Sequence, residues 1–327
     1  MQHLTIIVPE GQNNLSSIVG AYKLFSRANE YWVQRKKVAL FQIEIAGITK
    51  KVDFYKGLFT VNPGTHIADI DKTNLIIIPS LNHNYEEAIS SNQEITNWIR
   101  MQYHKGANIA SICTGAFLLA SSGLLDGKSC STHWSAVDSF KEMFPRVYLQ
   151  ADRLITDEDG ICTNGGAYSF LNLIIYLIEK YYDRETAILC SKVFQIEMDR
   201  NSQSPFTIFT GQKVHEDEVV NNAQSYIEHR FAEKISFEQL ASLFALSRRS
   251  FDRRFIKATG NSPLEYVQRV RIESAKKAFE GSGKTVGEVM YEVGYHDEKA
   301  FRGVFRKITG MSPKNYRERY NKHAKLA

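Results

Sequence analysis

Short apolar runs alternate with longer amphipathic stretches over the first 200 residues. Leu75–Pro79 and Asn108–Cys113 are continuous and mostly apolar, which is typical of strands that are covered on both faces. An amphipathic stretch at Tyr85–Gln102 separates them and predicts a helix. This alternation predicts an α/β domain around a mainly parallel sheet. The remaining strand candidates are Leu4–Val8, Val38–Ile45 and, as an antiparallel addition, Val52–Val61.

The pattern changes near residue 200. Lys180–Gln212 has the pattern of a closing helix and a polar linker, because Asn201–Pro205 contains no apolar side chain and ends in proline. From about Glu216 onward the chain has helical periodicity. We therefore predict an α/β domain at 1–200, a linker at 201–215 and an all-α domain at 216–327.

The helical part contains an internal repeat. Phe251–Pro263 matches Phe301–Pro313 at an offset of 50 residues, and seven of the thirteen positions are identical. Tyr266 and Tyr316 extend the match beyond these segments. A repeat of this kind usually marks a duplicated supersecondary unit.

Each copy of the repeat has the pattern of a short helix, a tight turn and a second helix. In the first copy, Ser247 is the predicted N-cap of the second helix and Gly260 its C-terminal stop. Phe251 and Phe255 are four residues apart and are predicted to face the core, with basic side chains on the outer face. The preceding helix carries the apolar stripe Phe237, Leu240, Ala241 and Phe244.

The second copy has the same arrangement. Asp297 is the predicted cap, and Phe301 and Phe305 are predicted to pack inward. Between the copies, Leu264–Glu280 has the pattern of one long amphipathic helix. Two helix-turn-helix units on such a connector can hold their second helices about 34 Å apart, which is one turn of DNA. The other positions that define this pattern are Val286, Val289 and Met290 in the first helix, Gly294 in the turn, and Tyr266, Val270 and Ala278 on the connector.

Positive charge is concentrated in the same part of the chain. From Glu216 to the end there are 21 basic and 15 acidic residues, a net charge of +6, whereas the preceding residues have 20 and 21, a net charge of −1. Such an excess is expected of a part that meets polyanions. A helical bundle with solvated basic faces is the alternative, and the duplication of the basic faces argues against it.

The stretch from Val293 to Arg317 resembles the signature of the AraC family of transcription regulators, and the resemblance spans about residues 216–320. The family implies two helix-turn-helix motifs in one seven-helix domain that binds double-stranded DNA at an asymmetric site. Gly303 stands where many members have a basic residue, which implies weaker sequence discrimination by the second motif. Carried over by position, the resemblance implies base contacts from Arg249, Asp252, Arg253, Lys299 and Arg302, and phosphate contacts from Lys257 and Arg306.

Cys113 follows a predicted strand and precedes a helix start that is rich in small residues. A strand, an exposed nucleophile and a helix N-terminus form a nucleophile elbow, in which the helix favours the thiolate. A buried structural cysteine at the end of a strand is the alternative.

A longer run, Ser111–Lys128 with Thr132-His133-Trp134, resembles the PfpI-like, glutamine-amidotransferase-related domain that precedes the AraC-type domain in the GlxA-like regulators. Thr163–Gly166 and Gln203–Phe206 add to this resemblance. It implies a flavodoxin-like α/β sandwich and a homodimer. The ligand-binding residues that it suggests are Cys113, Thr114, His133 and Asn164.

The elbow departs from the peptidase-like relatives. Thr114 stands where those relatives have a histidine directly after the cysteine, and Ser17 stands where they have an acidic residue. Glu10, seven residues before Ser17, is the candidate that replaces this acidic residue. Because thiol hydrolysis needs a base beside the thiol, we expect no catalytic residues here. Further changes that alter the expected pocket are Ser80, Leu81, Asn82, Tyr168 and Phe170.

We therefore expect a sequence-specific, DNA-binding transcription regulator whose N-terminal domain senses a small-molecule effector or a partner without catalysis. One alternative is a cysteine-dependent amidase or hydrolase fused to a DNA-binding domain, in which Cys113→Ser would abolish turnover and leave DNA binding intact. The other alternative is a scaffold domain that binds no ligand.

The cysteines, the apolar runs and the first residues of the chain indicate which cofactors and which cellular location to expect. The four cysteines have no CxxC pair and no histidine partners at metal spacing, so we expect no metal site, no cofactor and reduced thiols. No apolar run reaches the roughly 18–20 residues that cross a bilayer, so no membrane partner is expected. The start Met1–Val8 lacks a basic region before its apolar residues, which favours an uncleaved, cytoplasmic protein.

Overall fold

The computed structural model describes residues 1–11, 13–36, 38–82, 84–213 and 215–321. The chain forms two compact units, Met1–Gln203 and Ser204–Ala327. The first is α/β and the second is helical, so the predicted pair of fold classes is confirmed. The last six residues of the predicted domain 216–327 lie outside the described residues.

A seven-stranded sheet forms the centre of the N-terminal unit, with the strand order β10-β11-β7-β6-β1-β2-β5. The pairs are parallel except β10 with β11, as the continuous apolar runs predict. Two small sheets, β3-β4 and β8-β9, lie outside it. The strands are β1 Gln2–Val8, β2 Phe41–Gly47, β3 Val52–Phe54, β4 Phe59–Val61, β5 Thr65–His66, β6 Leu75–Ile78, β7 Asn108–Ile112, β8 Ser129–Cys130, β9 Tyr148–Leu149, β10 Ile155–Glu158 and β11 Ile161–Asn164.

Two hydrophobic clusters cover the two faces of this sheet. The first contains buried side chains of α1, α6 and α7, and the second contains those of α3, α4 and α5. Together they make a three-layer α/β/α sandwich. The helices are α1 Leu15–Lys36, α2 Tyr85–Ser90, α3 Gln93–His104, α4 Gly115–Ser121, α5 Val137–Met143, α6 Phe170–Tyr181 and α7 Arg184–Phe194.

Three sequence-based boundaries differ from the structure. The stretch Tyr85–Gln102 is two helices, because the buried amide of Asn92 donates to the carbonyls of Glu10 and Ala88 between them. Val52–Val61 is a separate antiparallel hairpin and does not extend the main sheet. The helix expected near Lys180 is a pair of helices, with a new one beginning after the N-cap Asp183.

The helical unit has seven helices within the described residues, and its two halves have separate cores. The repeat extends to atomic detail: Thr259 and Thr309 each donate to the carbonyl of a core phenylalanine at 2.8 Å. Gly260 and Gly310 both end their helices in the left-handed conformation, with φ of 67° and 73°. The helices are α8 Glu218–Arg230, α9 Phe237–Leu243, α10 Arg248–Thr259, α11 Pro263–Gly281, α12 Val286–Glu292, α13 Glu298–Thr309 and α14 Pro313–Tyr320.

Residues 204–213, which fall in the predicted linker, pack along the helical unit, and we call them the strap. Beside the second half, the Arg319 guanidinium lies 5.2 Å from the ring centre of Phe206. Beside the first half, the ring of Phe209 packs edge-to-face on Tyr266 at 5.3 Å, and Gln212 accepts a hydrogen bond from Asn261. The strap therefore contacts both helix-turn-helix halves.

Candidate nucleic-acid interface and nucleophile elbow

Helix α10 presents the first set of predicted DNA contacts. Ser247 caps it by accepting from the backbone N–H of Ser250, as predicted. Phe251 and Phe255 are fully buried, which fixes the rotation of the helix. The side chains on the opposite face, Arg249, Arg253 and Lys257, are exposed.

Asp252, the fourth predicted contact on this helix, is held by a residue that sequence reasoning missed. Both carboxylate oxygens of Asp252 accept from Arg248 Nε, at 2.8 and 2.9 Å, and a second Arg248 nitrogen donates to Glu238 at 2.9 Å. The hydrogen bond to Asp252 raises the pKa of Arg248. The i, i+4 spacing of the two residues was the signal in the sequence. Asp252 is therefore oriented and partly neutralised before any ligand arrives.

Helix α13 presents the second set. Asp297 caps it by accepting from Ala300 N–H at 2.6 Å, as predicted. Lys299, Arg302 and Arg306 are exposed, and Arg302 forms an i, i+4 ion pair with Glu298 at 2.5 Å. This exposed pair is weak and can exchange for a phosphate or a base.

Gly303 lies on the exposed face of α13. A Cβ atom built there would meet nothing within 4 Å, so packing does not require a glycine at this position. The missing side chain leaves the middle of this face with less positive charge than the matching part of α10, where Arg253 stands.

Arg271 on α11 fixes the relation between the two halves, and sequence reasoning also missed it. Its guanidinium donates to three backbone carbonyls, those of Phe231, Glu233 and Gly294, at 2.7 to 3.0 Å. Burial lowers the pKa of Arg271. The connector α11 has 19 residues, a length of about 28 Å at 1.5 Å per residue. The helices α10 and α13, which carry the two basic faces, are thus joined through one helix that is hydrogen-bonded to both halves.

The nucleophile elbow forms, but its thiol is not exposed. Cys113 has a positive φ of 54° between β7 and α4, and its side chain is only 4% exposed. Burial raises the pKa of the Cys113 thiol. Of the two alternatives for Cys113, the structure has the buried cysteine and not the exposed nucleophile, and desolvation opposes the thiolate.

The other predicted ligand residues lie around the carboxyl end of β7. Asn164 pairs with Ile112 in the sheet, and the hydroxyl of Thr132 donates to the Cys113 carbonyl at 3.1 Å, which holds the His133 loop beside the elbow. His133 Nδ1 bonds within its own turn, to the hydroxyl and N–H of Ser135.

Most polar groups of this cluster are used inside the protein. The Thr114 hydroxyl donates to the Leu81 carbonyl at 2.5 Å and contacts the Ser80 hydroxyl at 2.9 Å. The amide nitrogen of fully buried Asn164 donates to backbone carbonyls, including that of Leu154 at 3.1 Å. Thr114 thus holds the elbow to the end of β6, and Asn164 holds the residues before β10 and α6.

The residue in the acid's position and the candidate substitute acid both bond to other groups of the protein. Ser17, in the position of the acid, accepts from Ser80 N–H at 3.2 Å and donates to the Asn14 carbonyl. The Glu10 carboxylate accepts from the Thr49 hydroxyl at 2.6 Å. Among the described residues, no three His, Cys, Asp or Glu side chains are placed to share a metal ion.

One finding concerns membranes. Within the part of the chain that the structure describes, no helix combines the length and the apolar character needed to span a bilayer.

Two family models match the chain, one on each unit. Residues 18–180 match the DJ-1/PfpI family, and residues 240–319 match a helix-turn-helix domain of the AraC type. The first match covers six of the seven strands of the main sheet, the elbow and most of the N-terminal helices. The second covers both repeats and the connector between them.

Similar proteins carry regulator names. The chain is 28% identical over 234 residues to the HTH-type transcriptional regulator GbdR of Pseudomonas aeruginosa, which is 70% of this chain and 62% of GbdR. It is 24% identical over 219 residues to the HTH-type transcriptional regulator GlxA of Rhizobium meliloti, covering 65% of this chain and 66% of GlxA. The matched part thus spans less than two thirds of either relative.

A solved structure shares the fold of the N-terminal unit. A THiJ/PfpI family protein from Pseudomonas syringae superposes with a TM-score of 0.51 at 17% identity, over 61% of this chain and 76% of that one. The sandwich, the elbow, the duplicated helix-turn-helix and the two family matches agree. The chain therefore carries a domain of the DJ-1/PfpI type followed by a helix-turn-helix domain of the AraC type.

Proposed function

We propose that this protein is a sequence-specific, DNA-binding transcription regulator that acts in the cytoplasm as a homodimer. The observation that carries the proposal is the pair of exposed basic faces on α10 and α13, which occupy matching positions in the two copies of the repeat, 50 residues apart. Second helices of this kind enter successive major grooves when a rigid element sets their spacing. The braced helix α11 supplies such an element.

Each predicted contact has a role in this proposal. Arg249, Arg253 and Arg302 suit the acceptor edge of guanine, whereas Lys257 and Arg306 suit phosphates. Lys299 contacts a base edge near the start of α13. Asp252 accepts from a cytosine amine while Arg248 orients its carboxylate.

A selection from a pool of randomised duplexes tests this function. We expect the full chain to enrich an asymmetric site with two conserved blocks whose centres lie about 10 bp apart. A matched selection with the Arg249→Ala, Arg302→Ala double variant should enrich no such site. If the wild-type chain enriches nothing, the proposed function is wrong.

We further infer that the N-terminal unit is a non-catalytic sensor of a small molecule. The buried thiol of Cys113, with its raised pKa, and the internal bonds of Thr114 support this proposal. Cys113, Thr114, His133 and Asn164 remain the predicted contacts at the elbow. An effector that shifts the DNA-binding curve of the wild type should act less on His133→Ala.

Cysteine-dependent hydrolysis is the second candidate, and one observation favours it. The positive φ of Cys113 costs backbone strain, which proteins often keep at functional sites. Loss of any esterase or amidase turnover in Cys113→Ser, with unchanged DNA binding, would identify this activity. Equal rates for the wild type and the variant would leave the sensor as the better proposal.

A further inference from the structure

Ile256 is an apolar side chain on the charged outer face of α10. It is 47% exposed, whereas the core of this half takes Phe251, Phe255 and Ala258 from the same helix. A helix turns about 100° per residue, so Ile256 lies about 20° from Arg249 around the axis and about 10 Å farther along it. Ile256 therefore shares the face of α10 that the proposed function places in the major groove.

This face carries four side chains at the spacing i, i+3, i+4 and i+7, namely Arg249, Asp252, Arg253 and Ile256. A recognition helix reaches successive base edges through the side chains of one such face. The first three are the predicted base contacts of α10. Ile256 has no hydrogen-bond donor or acceptor in its side chain, so it can read a base only through an apolar contact.

Two other arginines of α10 are bound at different positions around the helix. Arg248 and Arg254 lie about 80° and 160° from Ile256. Arg248 donates to Asp252 at 2.8 Å, and Arg254 donates to Asp217 at 2.5 Å. A ligand can therefore reach the exposed part of Ile256 while both ion pairs stay intact.

The second copy of the repeat has a different side chain at the matching position. Arg306 occupies it on α13, where Phe301 and Phe305 are buried as their counterparts are on α10. Packing therefore does not require an apolar residue at this position. Isoleucine is also a poorer helix former than arginine. Neither the core nor the helix propensity accounts for Ile256.

We propose that Ile256 contacts the 5-methyl group of a thymine in the half-site that α10 reads, an inference that rests on the proposed function. Thymine presents a methyl group in the major groove, and apolar side chains recognise it there. A cytosine at this place would present an amine donor, and the isoleucine would remove its water without offering an acceptor. Ile256 is thus a specificity-determining residue beside the charged contacts of Asp252 and Arg253.

Replacement of thymine by deoxyuridine tests this contact, because deoxyuridine lacks only the 5-methyl group. The duplex is the site that the wild-type chain enriches, and its α10 block is the one whose base preference changes in Arg249→Ala. Each thymine of that block is replaced in turn, and dissociation constants are measured by fluorescence anisotropy at one salt concentration. We expect one replacement to weaken wild-type binding by about fourfold, the effect of losing one buried methyl group.

Variants assign the effect to Ile256. Ile256→Ala should bind the thymine and deoxyuridine duplexes equally, and Ile256→Val should keep part of the difference. The matched control is Val193→Ala, which truncates a β-branched side chain on α7 that is 46% exposed and should keep the full difference. Because an apolar contact releases no counterions, Ile256→Ala should leave the salt dependence of binding unchanged, whereas Lys257→Ala should reduce its slope by about one unit.

Three results would overturn the inference: an α10 block without thymine, no deoxyuridine replacement that weakens wild-type binding, or a difference that persists in Ile256→Ala. A chain that enriches no site refutes the proposed function as well, so the two failures are distinguishable. Circular dichroism shows that Ile256→Ala is folded, which its exposed position and the higher helix propensity of alanine favour.

Discussion

Lys276 should be among the most costly single residues to lose in the helical unit. Its side chain is 5% exposed, and its ammonium donates to the strap carbonyl of Thr207 at 2.5 Å and to Glu273 at 2.7 Å. Glu273, 12% exposed, also accepts from the strap N–H of Phe209 at 3.1 Å. One buried ion pair thus joins the strap to α11 at two successive points.

The magnitude follows from what Lys276→Met leaves behind. Methionine keeps most of the apolar stem, so the loss is mainly electrostatic. The variant leaves a buried carboxylate without its counter-charge and a carbonyl without its donor, and removal of one partner of a buried pair costs about 3–5 kcal/mol. We expect the lower part of this range, since Glu273 keeps the Phe209 hydrogen bond. The Lys276→Met, Glu273→Leu double variant should lose less than the sum of the single losses.

Urea unfolding of the full chain, followed by circular dichroism at 222 nm, measures this loss. Hydrogen exchange of the Phe209 amide reports the release of the strap directly. The matched control is Lys277→Met, which removes the neighbouring exposed lysine and should change stability by less than about 0.5 kcal/mol. The reasoning is refuted if the Lys276 and Lys277 variants unfold at the same urea concentration and protect the Phe209 amide equally.

Three further predictions concern a turn, a recognition helix and the thiols. Gly294→Ala should destabilise the helical unit by about 2 kcal/mol or more in a urea titration, because φ is +80° and the new Cβ would lie 2.3 Å from the Ala232 carbonyl oxygen. The control is Gly287→Ala, whose new Cβ would meet no atom within 4 Å. Gly303→Arg should leave the melting temperature unchanged or raise it and should steepen the salt dependence of DNA binding by about one unit of slope, which fluorescence anisotropy measures. Burial raises the pKa of Cys130 to about 12, so the thiol of the unfolded chain ionises first and the free energy of unfolding should fall above about pH 9. Cys130→Ala should make this fall less steep between pH 8 and pH 10, and an equally steep fall in the variant would contradict the prediction.

The features that the sequence predicts well are local. Ser247, Asp297 and Gly260 act as caps because the helix ends need partners within one turn of the chain. Phe301 and Phe305 are buried because their spacing places them on one helix face. The parallel sheet likewise follows from continuous apolar strands.

The features that the sequence does not predict depend on distant contacts. Cys113 is buried in a cluster that includes side chains of α1 and α6, which are far from it in the sequence and reach it only in the folded unit. The strap falls in the segment predicted as a linker, yet Lys276 and Glu273 bind its backbone, which any sequence could offer.

Salt-dependent DNA binding tests the central claim most directly. Four proteins are titrated onto the selected site and onto random duplex at several salt concentrations: the wild type, Arg249→Ala, Arg302→Ala and Arg146→Ala. The last is the control, because it removes an exposed arginine of the other unit. The account predicts that Arg249→Ala and Arg302→Ala each lose about 1–3 kcal/mol on the selected site and little on random DNA, while Arg146→Ala binds as the wild type does. Binding of all three variants at wild-type affinity on the selected site would contradict the assignment of α10 and α13 as recognition helices.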